Sequence, residues 1–297
     1  MPQNGDMVRT GDGWTSHALT REEIAPWIEA AHAARISAYI LDRLPPPQEG
    51  AFFANGDLEN MAKWCASLIE AGLSHLLLWA DYAVPLKFHP EAETAHQFRP
   101  AFTLVRAAME CAAQAIWVLS PEEDAERGRR YFMLGIWDLD EQAKASASNG
   151  RKTEIRAERD ACLAALGLTM RSFPKPLYID LVRAAAEFVP AEESGGKPRA
   201  NRMERVWRMA AGAAHGKQWP DFEIASRESA QPSISAMSEV LTVAHMLTSA
   251  AVLLFAMRCG LEAEWSDLRQ EGFVHVATTM TTVDGTPIRP DEVPDFR

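Results

Sequence analysis

Arg208 and His215 are the residues whose types and spacing point most directly to chemistry. They stand seven residues apart in the segment NRMERVWRMAAGAAHGKQW. This spacing is about two turns of an α-helix, so both side chains are expected on one helix face. Ala211 and Gly212 lie between them on that face and add almost no side-chain bulk. The sequence therefore predicts a guanidinium and an imidazole on either side of an open groove.

A guanidinium and an imidazole together can act on a phosphodiester without a metal. Arginine binds phosphate oxygens bidentately and stays charged at neutral pH. Histidine can take a proton from a ribose 2′-OH or give one to the leaving 5′-oxygen, while the arginine stabilises the charge of the phosphorane. An ordinary helix end explains the same residues, with His215 at the negative end of the helix dipole and Gly216 as a left-handed cap. Both interpretations remain open on the sequence alone.

One polar stripe lies on the helix predicted over 199–215, at spacings of four, three, four and three: Asn201, Arg205, Arg208, Gly212 and His215. A second polar stripe lies on another segment with helical periodicity. Residues 92–119 carry Arg106 and Glu110 at a spacing of four, which favours an ion pair along the helix. If this face meets the Arg208 face, one site forms from both helices. The predicted catalytic residues are Arg208 and His215, and the predicted substrate-binding residues are Arg205, Arg106, Glu110 and Asn201.

The elements that must position these residues are helices. Apolar residues recur with a period of 3.6 in segments separated by Pro, Gly and Asn. The predicted helices cover about 20–43, 57–83, 92–119, 121–149, 151–166, 176–189, 199–215 and 233–259. We predict an all-α fold, an up-and-down bundle of about eight helices with a short irregular or β-containing C-terminal tail. The predicted division is 1–50 for an N-terminal helix and Pro-rich linker, 51–262 for the bundle, and 263–297 for the tail.

Two apolar stripes indicate which helix faces form the core. One lies on the helix predicted over 92–119, and the other on the helix predicted over 199–215. They consist of Phe102, Val105, Met109, Ala112, Ile116 and Leu119, and of Met203, Trp207, Ala210 and Ala214.

Composition limits the classes of partner. The 297-residue chain has 41 acidic and 30 basic residues and a formal charge of -11, which opposes general binding to nucleic acid or to an anionic membrane. The four cysteines are widely separated and form no C-x-x-C motif, so neither a disulfide framework nor a zinc cluster is indicated. We find no apolar leader segment and expect a cytoplasmic protein without a membrane span.

The segment RVWRMAAGAAHG resembles the R-x(4–6)-H signature of the HEPN superfamily of all-helical nucleotide-binding domains. The resemblance covers roughly 57–260 and implies a dimeric helical bundle that binds RNA or nucleotide phosphate without a cofactor or metal. Active members are endoribonucleases of toxin–antitoxin, phage-defence or RNA-processing systems, and Arg208 and His215 would inherit their two catalytic roles. Many active members have Asn, Asp or His after the arginine, where this chain has Met209. This departure favours a non-catalytic RNA-binding or structural member.

Two other interpretations compete with an RNA site. The pairs Glu29/His32 and Glu93/His96 match the Glu-x-x-His spacing of di-iron bundles, although chance matches are expected in a chain with 41 acidic residues and eight histidines. The chain can also be a non-enzymatic helical interaction or scaffold protein whose acidic surface binds a protein partner.

Overall fold

The computed structural model of the chain describes residues 5–10, 13–18, 21–83, 87–88, 98–172, 174–189, 199–220, 234–279 and 281–282. These residues contain nine complete α-helices, and the fold is all-α as predicted. The helices are α1 (Arg21–Arg43), α2 (Glu59–Ala83), α3 (Phe98–Leu119), α4 (Asp124–Ala145), α5 (Asn149–Ala165), α6 (Tyr178–Ala185), α7 (Arg199–Ala214), α8 (Ile234–Arg258) and α9 (Trp265–Thr279).

Two short pairs of strands accompany the helices. Strands β1 (Gly5–Thr10) and β2 (Gly13–Ala18) form an antiparallel hairpin, which the sequence patterns did not indicate. Strands β3 (Lys87–Phe88) and β4 (Thr281–Thr282) pair in parallel. The segment 263–297 was predicted to be irregular or β-containing, and the structure adds helix α9 at its start. Among its described residues, the β character is limited to the two residues of β4.

Helix α3 lies at the centre of the fold and packs against α2, α6, α7 and α8. All six residues of its predicted apolar stripe are fully buried. Helices α3 and α8 are both long and apolar enough to cross a membrane by length and composition, over Phe98–Leu119 and Ala236–Arg258. More than half of each of these segments is buried within the fold. Burial against the other helices accounts for their apolar character.

Helix α1 belongs to the same core as the rest of the bundle. It packs against α2, α8 and α9, and the buried side chains of Trp27, Ala31 and Ile40 are part of the main core. The indole Nε1 of Trp27 donates a hydrogen bond to Ser238 Oγ on α8 over 3.0 Å. The packing therefore continues across the boundary expected near residue 50. Helices α4 and α5 add a smaller apolar cluster of their own around Met133, Ile136 and Leu163.

Candidate functional site

The C-terminus of α7 is anchored beside the first turns of α3. Gly216 has a φ of +67°, and its amide donates to Ala213 O over 3.1 Å while the Lys217 amide donates to Gly212 O over 2.9 Å. These two bonds form the left-handed helix cap that the sequence indicated. Arg99 of α3 donates to Ala213 O and Lys217 O at 3.5 and 3.4 Å. A cation therefore meets the negative end of the α7 dipole, and His215 lies beside α3.

Arg106 of α3 and His215 at the end of α7 are joined by a hydrogen bond. The Nη1 atom of Arg106 lies 2.8 Å from Nε2 of His215, and its Nε atom donates to Glu110 Oε1 over 2.8 Å. Because arginine only donates, this bond requires Nε2 of His215 as the acceptor, which is the tautomer with its proton on Nδ1. The side chains of Arg106 and Glu110 are 23% and 15% exposed, whereas His215 is exposed. The carboxylate of Glu110 thus holds the guanidinium of Arg106 in place, whereas the imidazole of His215 is open to solvent.

Trp207 fixes Glu110 from the opposite helix. Its Nε1 atom donates to Glu110 Oε1 over 3.0 Å, and the guanidinium carbon of Arg106 lies 5.7 Å from the centre of its ring. One carboxylate oxygen therefore accepts hydrogen bonds from α3 and from α7. Trp207 was predicted only as a core residue, and it also orients the carboxylate that holds Arg106.

Arg208 binds a different carboxylate. Its Nε atom donates to Glu204 Oε1 over 2.8 Å, and the other oxygen of Glu204 lies 3.4 Å from Arg183 Nη1 on α6. The Arg208 side chain is 57% exposed. Among the described residues, the guanidinium that contacts His215 is therefore Arg106 rather than Arg208. Arg208 remains on the exposed surface of the same helix.

The remaining predicted residues of the α7 stripe point elsewhere. Arg205 forms an ion pair with Glu239 of α8, which also lies 3.4 Å from Arg202 Nε. Asn201 is exposed near the beginning of α7. The residues of the predicted stripe therefore do not form one site, because Arg205 and Arg208 bind different carboxylates, those of Glu239 and Glu204. Only the His215 end of the stripe contacts α3 through a hydrogen bond among the described residues.

The open groove predicted across Ala211 and Gly212 is filled. A Cβ atom added at Gly212 would lie 2.8 Å from Cγ of Pro220 and 2.9 Å from Cζ2 of Trp219. Gly212 is itself buried. The physical reason is the turn after Gly216, which returns the chain onto α7. The glycine therefore serves close packing of Trp219 and Pro220 and gives a substrate no access to the helix backbone.

Tyr178 is an aromatic residue of the site that the sequence analysis did not identify. It is the first residue of α6, which packs against both α3 and α7, and it is 43% exposed. Burial raises the pKa of its phenol, and the negative charge of Glu110 raises this pKa further, while the positive charge of Arg106 opposes it. The hydroxyl therefore stays protonated at neutral pH. Only the packing of α6 reveals this proximity, since Tyr178 is far from Arg106 in sequence.

The other candidate sites from the sequence do not assemble in the described part of the chain. No group of three His, Cys, Asp or Glu side chains within the described ranges could hold a metal ion. Glu29 is exposed, whereas burial and then the charge of Arg35 lower the pKa of His32 to about 4. The second pair, Glu93 and His96, lies outside the described residues. The four cysteines are free thiols.

Comparisons of this chain with protein-family models, with curated proteins and with solved structures give no match.

Proposed function

We propose that this chain binds RNA or a nucleotide through a phosphate group held by Arg106 and His215, as a HEPN-like protein. The observation that carries the proposal is the 2.8 Å hydrogen bond between Arg106 Nη1 and His215 Nε2, which links α3 to α7. An arginine and a histidine side by side offer one fixed cation and one group that can accept or donate a proton. This combination suits a phosphodiester.

The charge around the site favours an anionic ligand, although the chain as a whole is acidic. The guanidinium groups of Arg99 and Arg106 lie at the contact between α3 and the end of α7, where Glu110 is the carboxylate paired with Arg106. The chain as a whole has a formal charge of -11. A phosphate would therefore bind at this patch rather than across the general surface.

The same two groups can serve cleavage of RNA. A phosphate oxygen that accepts from Arg106 replaces His215 Nε2 as the acceptor, and Nε2 then takes the proton of the ribose 2′-OH as O2′ attacks phosphorus. The 5′-oxygen leaves with a proton from solvent, and a 2′,3′-cyclic phosphate forms. Arg106 stabilises the phosphorane charge. Met209, at the position where many active HEPN members have a polar residue, is 3% exposed and packs in the core. Binding is therefore the primary proposal and cleavage the secondary one.

The test measures binding and cleavage of one RNA separately. Fluorescence anisotropy with a labelled mixed-sequence single-stranded RNA at low salt should give saturable binding that weakens steeply as salt rises. Incubation of the same RNA with EDTA should reveal any metal-independent cleavage. His215→Ala is expected to abolish that cleavage. The control is His75→Ala on α2, which removes an imidazole from a helix that carries no residue of the site.

The result that would overturn the proposal is the absence of RNA and nucleotide affinity in the wild-type protein at low salt. Binding without cleavage would support the non-catalytic form of the proposal, in agreement with the core position of Met209.

The proposal includes a homodimer, as the HEPN resemblance implies. Leu78 and Tyr82 on α2 are 63% and 52% exposed and line an apolar cavity of about 330 Å³ together with Trp79 and Leu104. Pairing of two copies would cover this apolar surface. Light scattering tests this homodimer. We expect a dimer for the wild-type protein and a monomer for Leu78→Asp. A dimeric wild type without RNA affinity would favour the alternative function of an interaction protein.

A further inference from the structure

Trp219 is an exposed aromatic residue close to the Arg106–His215 pair. It is 43% exposed, and it is the one exposed residue among the tryptophans whose burial the structure describes. It follows His215 by four residues, in the turn that returns the chain onto α7. Tryptophan is on average highly buried, because its ring is large and apolar. The exposed part of this indole is a surface on which a ligand can pack.

The indole of Trp219 lies on the same face of α7 as His215. Its Cζ2 and Cε2 atoms would be 2.9 and 3.0 Å from a Cβ atom added at Gly212. Gly212 precedes His215 by three residues, and helix residues at this spacing are neighbours with about 5–6 Å between their Cβ atoms. The ring that fills the groove over Gly212 therefore stands next to the imidazole that is bonded to Arg106.

The turn that carries Trp219 is fixed by contacts to α7 and to α3. The Lys217 amide donates to Gly212 O over 2.9 Å, and Arg99 donates to Lys217 O over 3.4 Å. Pro220 is buried, and its Cγ atom would lie 2.8 Å from a Cβ atom added at Gly212. An aromatic ring held in a fixed turn loses little conformational entropy when a flat ligand stacks on it. The position of the indole is therefore set before any ligand binds.

We propose that Trp219 stacks against an unpaired base of the RNA whose phosphate lies at Arg106 and His215. This inference rests on the proposed phosphate site and adds a contact to the uncharged part of the ligand. A nucleotide carries its base and its phosphate on one ribose, so neighbouring groups on α7 can hold both. Every base has a π-face that can stack on an aromatic ring. The bases of a duplex are already stacked within it, so Trp219 selects single-stranded over double-stranded RNA.

The experiment compares Trp219→Leu with Trp219→Phe by fluorescence anisotropy, with a labelled single-stranded RNA and with the same RNA annealed to its complement. Trp219→Leu keeps an apolar side chain against Gly212 but removes the aromatic face. It is expected to weaken binding of the single strand at least about fivefold, through the loss of one stacked base. Trp219→Phe keeps an aromatic face and should weaken this binding less than about threefold. Binding of the duplex should be the same in both variants.

Phe273→Leu is the matched control. Phe273 is 48% exposed on α9, which carries no residue of the site. This substitution also replaces an exposed aromatic ring with leucine, and no change in RNA affinity is expected.

The salt dependence of binding separates stacking from support of the phosphate site. Stacking releases no counterions, so Trp219→Leu should leave the slope of log K against log salt concentration unchanged. Arg106→Met should lower the magnitude of this slope by about one, because it removes a phosphate contact. A lower slope in Trp219→Leu would overturn the stacking, since it would show that the indole only supports the phosphate contacts.

The remaining outcomes distinguish this inference from the phosphate site on which it rests. Unchanged affinity in Trp219→Leu together with a loss in Arg106→Met would overturn the stacking alone. Equal losses in Trp219→Leu and Trp219→Phe, or equal affinities of the wild type for the single strand and the duplex, would also overturn it. A wild type without affinity for either RNA would overturn both the stacking and the phosphate site.

Discussion

At the scale of single residues, Glu110 connects the parts of the candidate site. Its Oε1 atom accepts from Arg106 Nε and from Trp207 Nε1 at 2.8 and 3.0 Å, and its side chain is 15% exposed. Glu110→Gln removes the charge from both bonds. We expect a loss of about 1–3 kcal/mol in the free energy of unfolding, because hydrogen bonds to a largely buried charge are involved. Urea denaturation measures this loss in the free energy of unfolding.

Glu154→Gln is the matched control for this prediction. Glu154 lies on α5, is 68% exposed and pairs with Arg151 over 3.1 Å. Because water screens exposed pairs, the expected loss is below about 0.5 kcal/mol. Equal effects of the two substitutions would show that Glu110 does not organise the site.

At the scale of helices, the end of α7 depends on the absence of a side chain at Gly212. Gly212→Ala would place Cβ within 3 Å of Pro220 and Trp219. We expect a loss of about 1–3 kcal/mol from overpacking, despite the better helix propensity of alanine by about 1 kcal/mol. Gly135→Ala, in α4, meets nothing within 4 Å and should stabilise the protein. Thermal denaturation of both variants checks the opposite signs, and stabilisation by Gly212→Ala would contradict this packing.

The sequence predicts the helices well but not which polar groups meet. The eight helices follow from local periodicity, and the stripe from Phe102 to Leu119 is buried as expected. The partner of His215 depends on how α7 is rotated against α3, which is set by packing across the whole core. Arg208 has Glu204 four residues away on its own helix, and this local ion pair holds it. Trp219 fills the expected groove because the chain reverses at Gly216, and although the sequence indicates that cap, it does not show that the following residues pack back onto Gly212.

At the scale of the whole molecule, two histidines make stability depend on pH. Burial, together with Arg35 in one case, lowers the pKa values of His32 and His245 to about 4 from the ordinary 6.5. Below pH 6.5 the unfolded chain binds protons at both, whereas the folded chain does not until about pH 4. Stability must therefore fall as the pH falls through this window. The expected slope is about 1.4 kcal/mol per pH unit for each histidine well below pH 6.5.

Urea denaturation between pH 7 and pH 5 tests this dependence above the range in which carboxylates with lowered pKa values, such as Glu126, lose their contribution. His245→Leu should remove about half of the loss in the free energy of unfolding between pH 7 and pH 5. An unchanged loss in this variant would assign the pH dependence to other groups.

The most direct measurement for the central proposal compares the RNA affinities of Arg106→Met and Arg208→Met under identical low-salt conditions. Both substitutions remove one positive charge, but only Arg106 is bonded to His215. We predict that Arg106→Met weakens RNA binding at least tenfold and that Arg208→Met weakens it less than threefold, by general electrostatics alone. A larger loss in Arg208→Met, or equal losses in both, would contradict a phosphate site built on the Arg106–His215 pair.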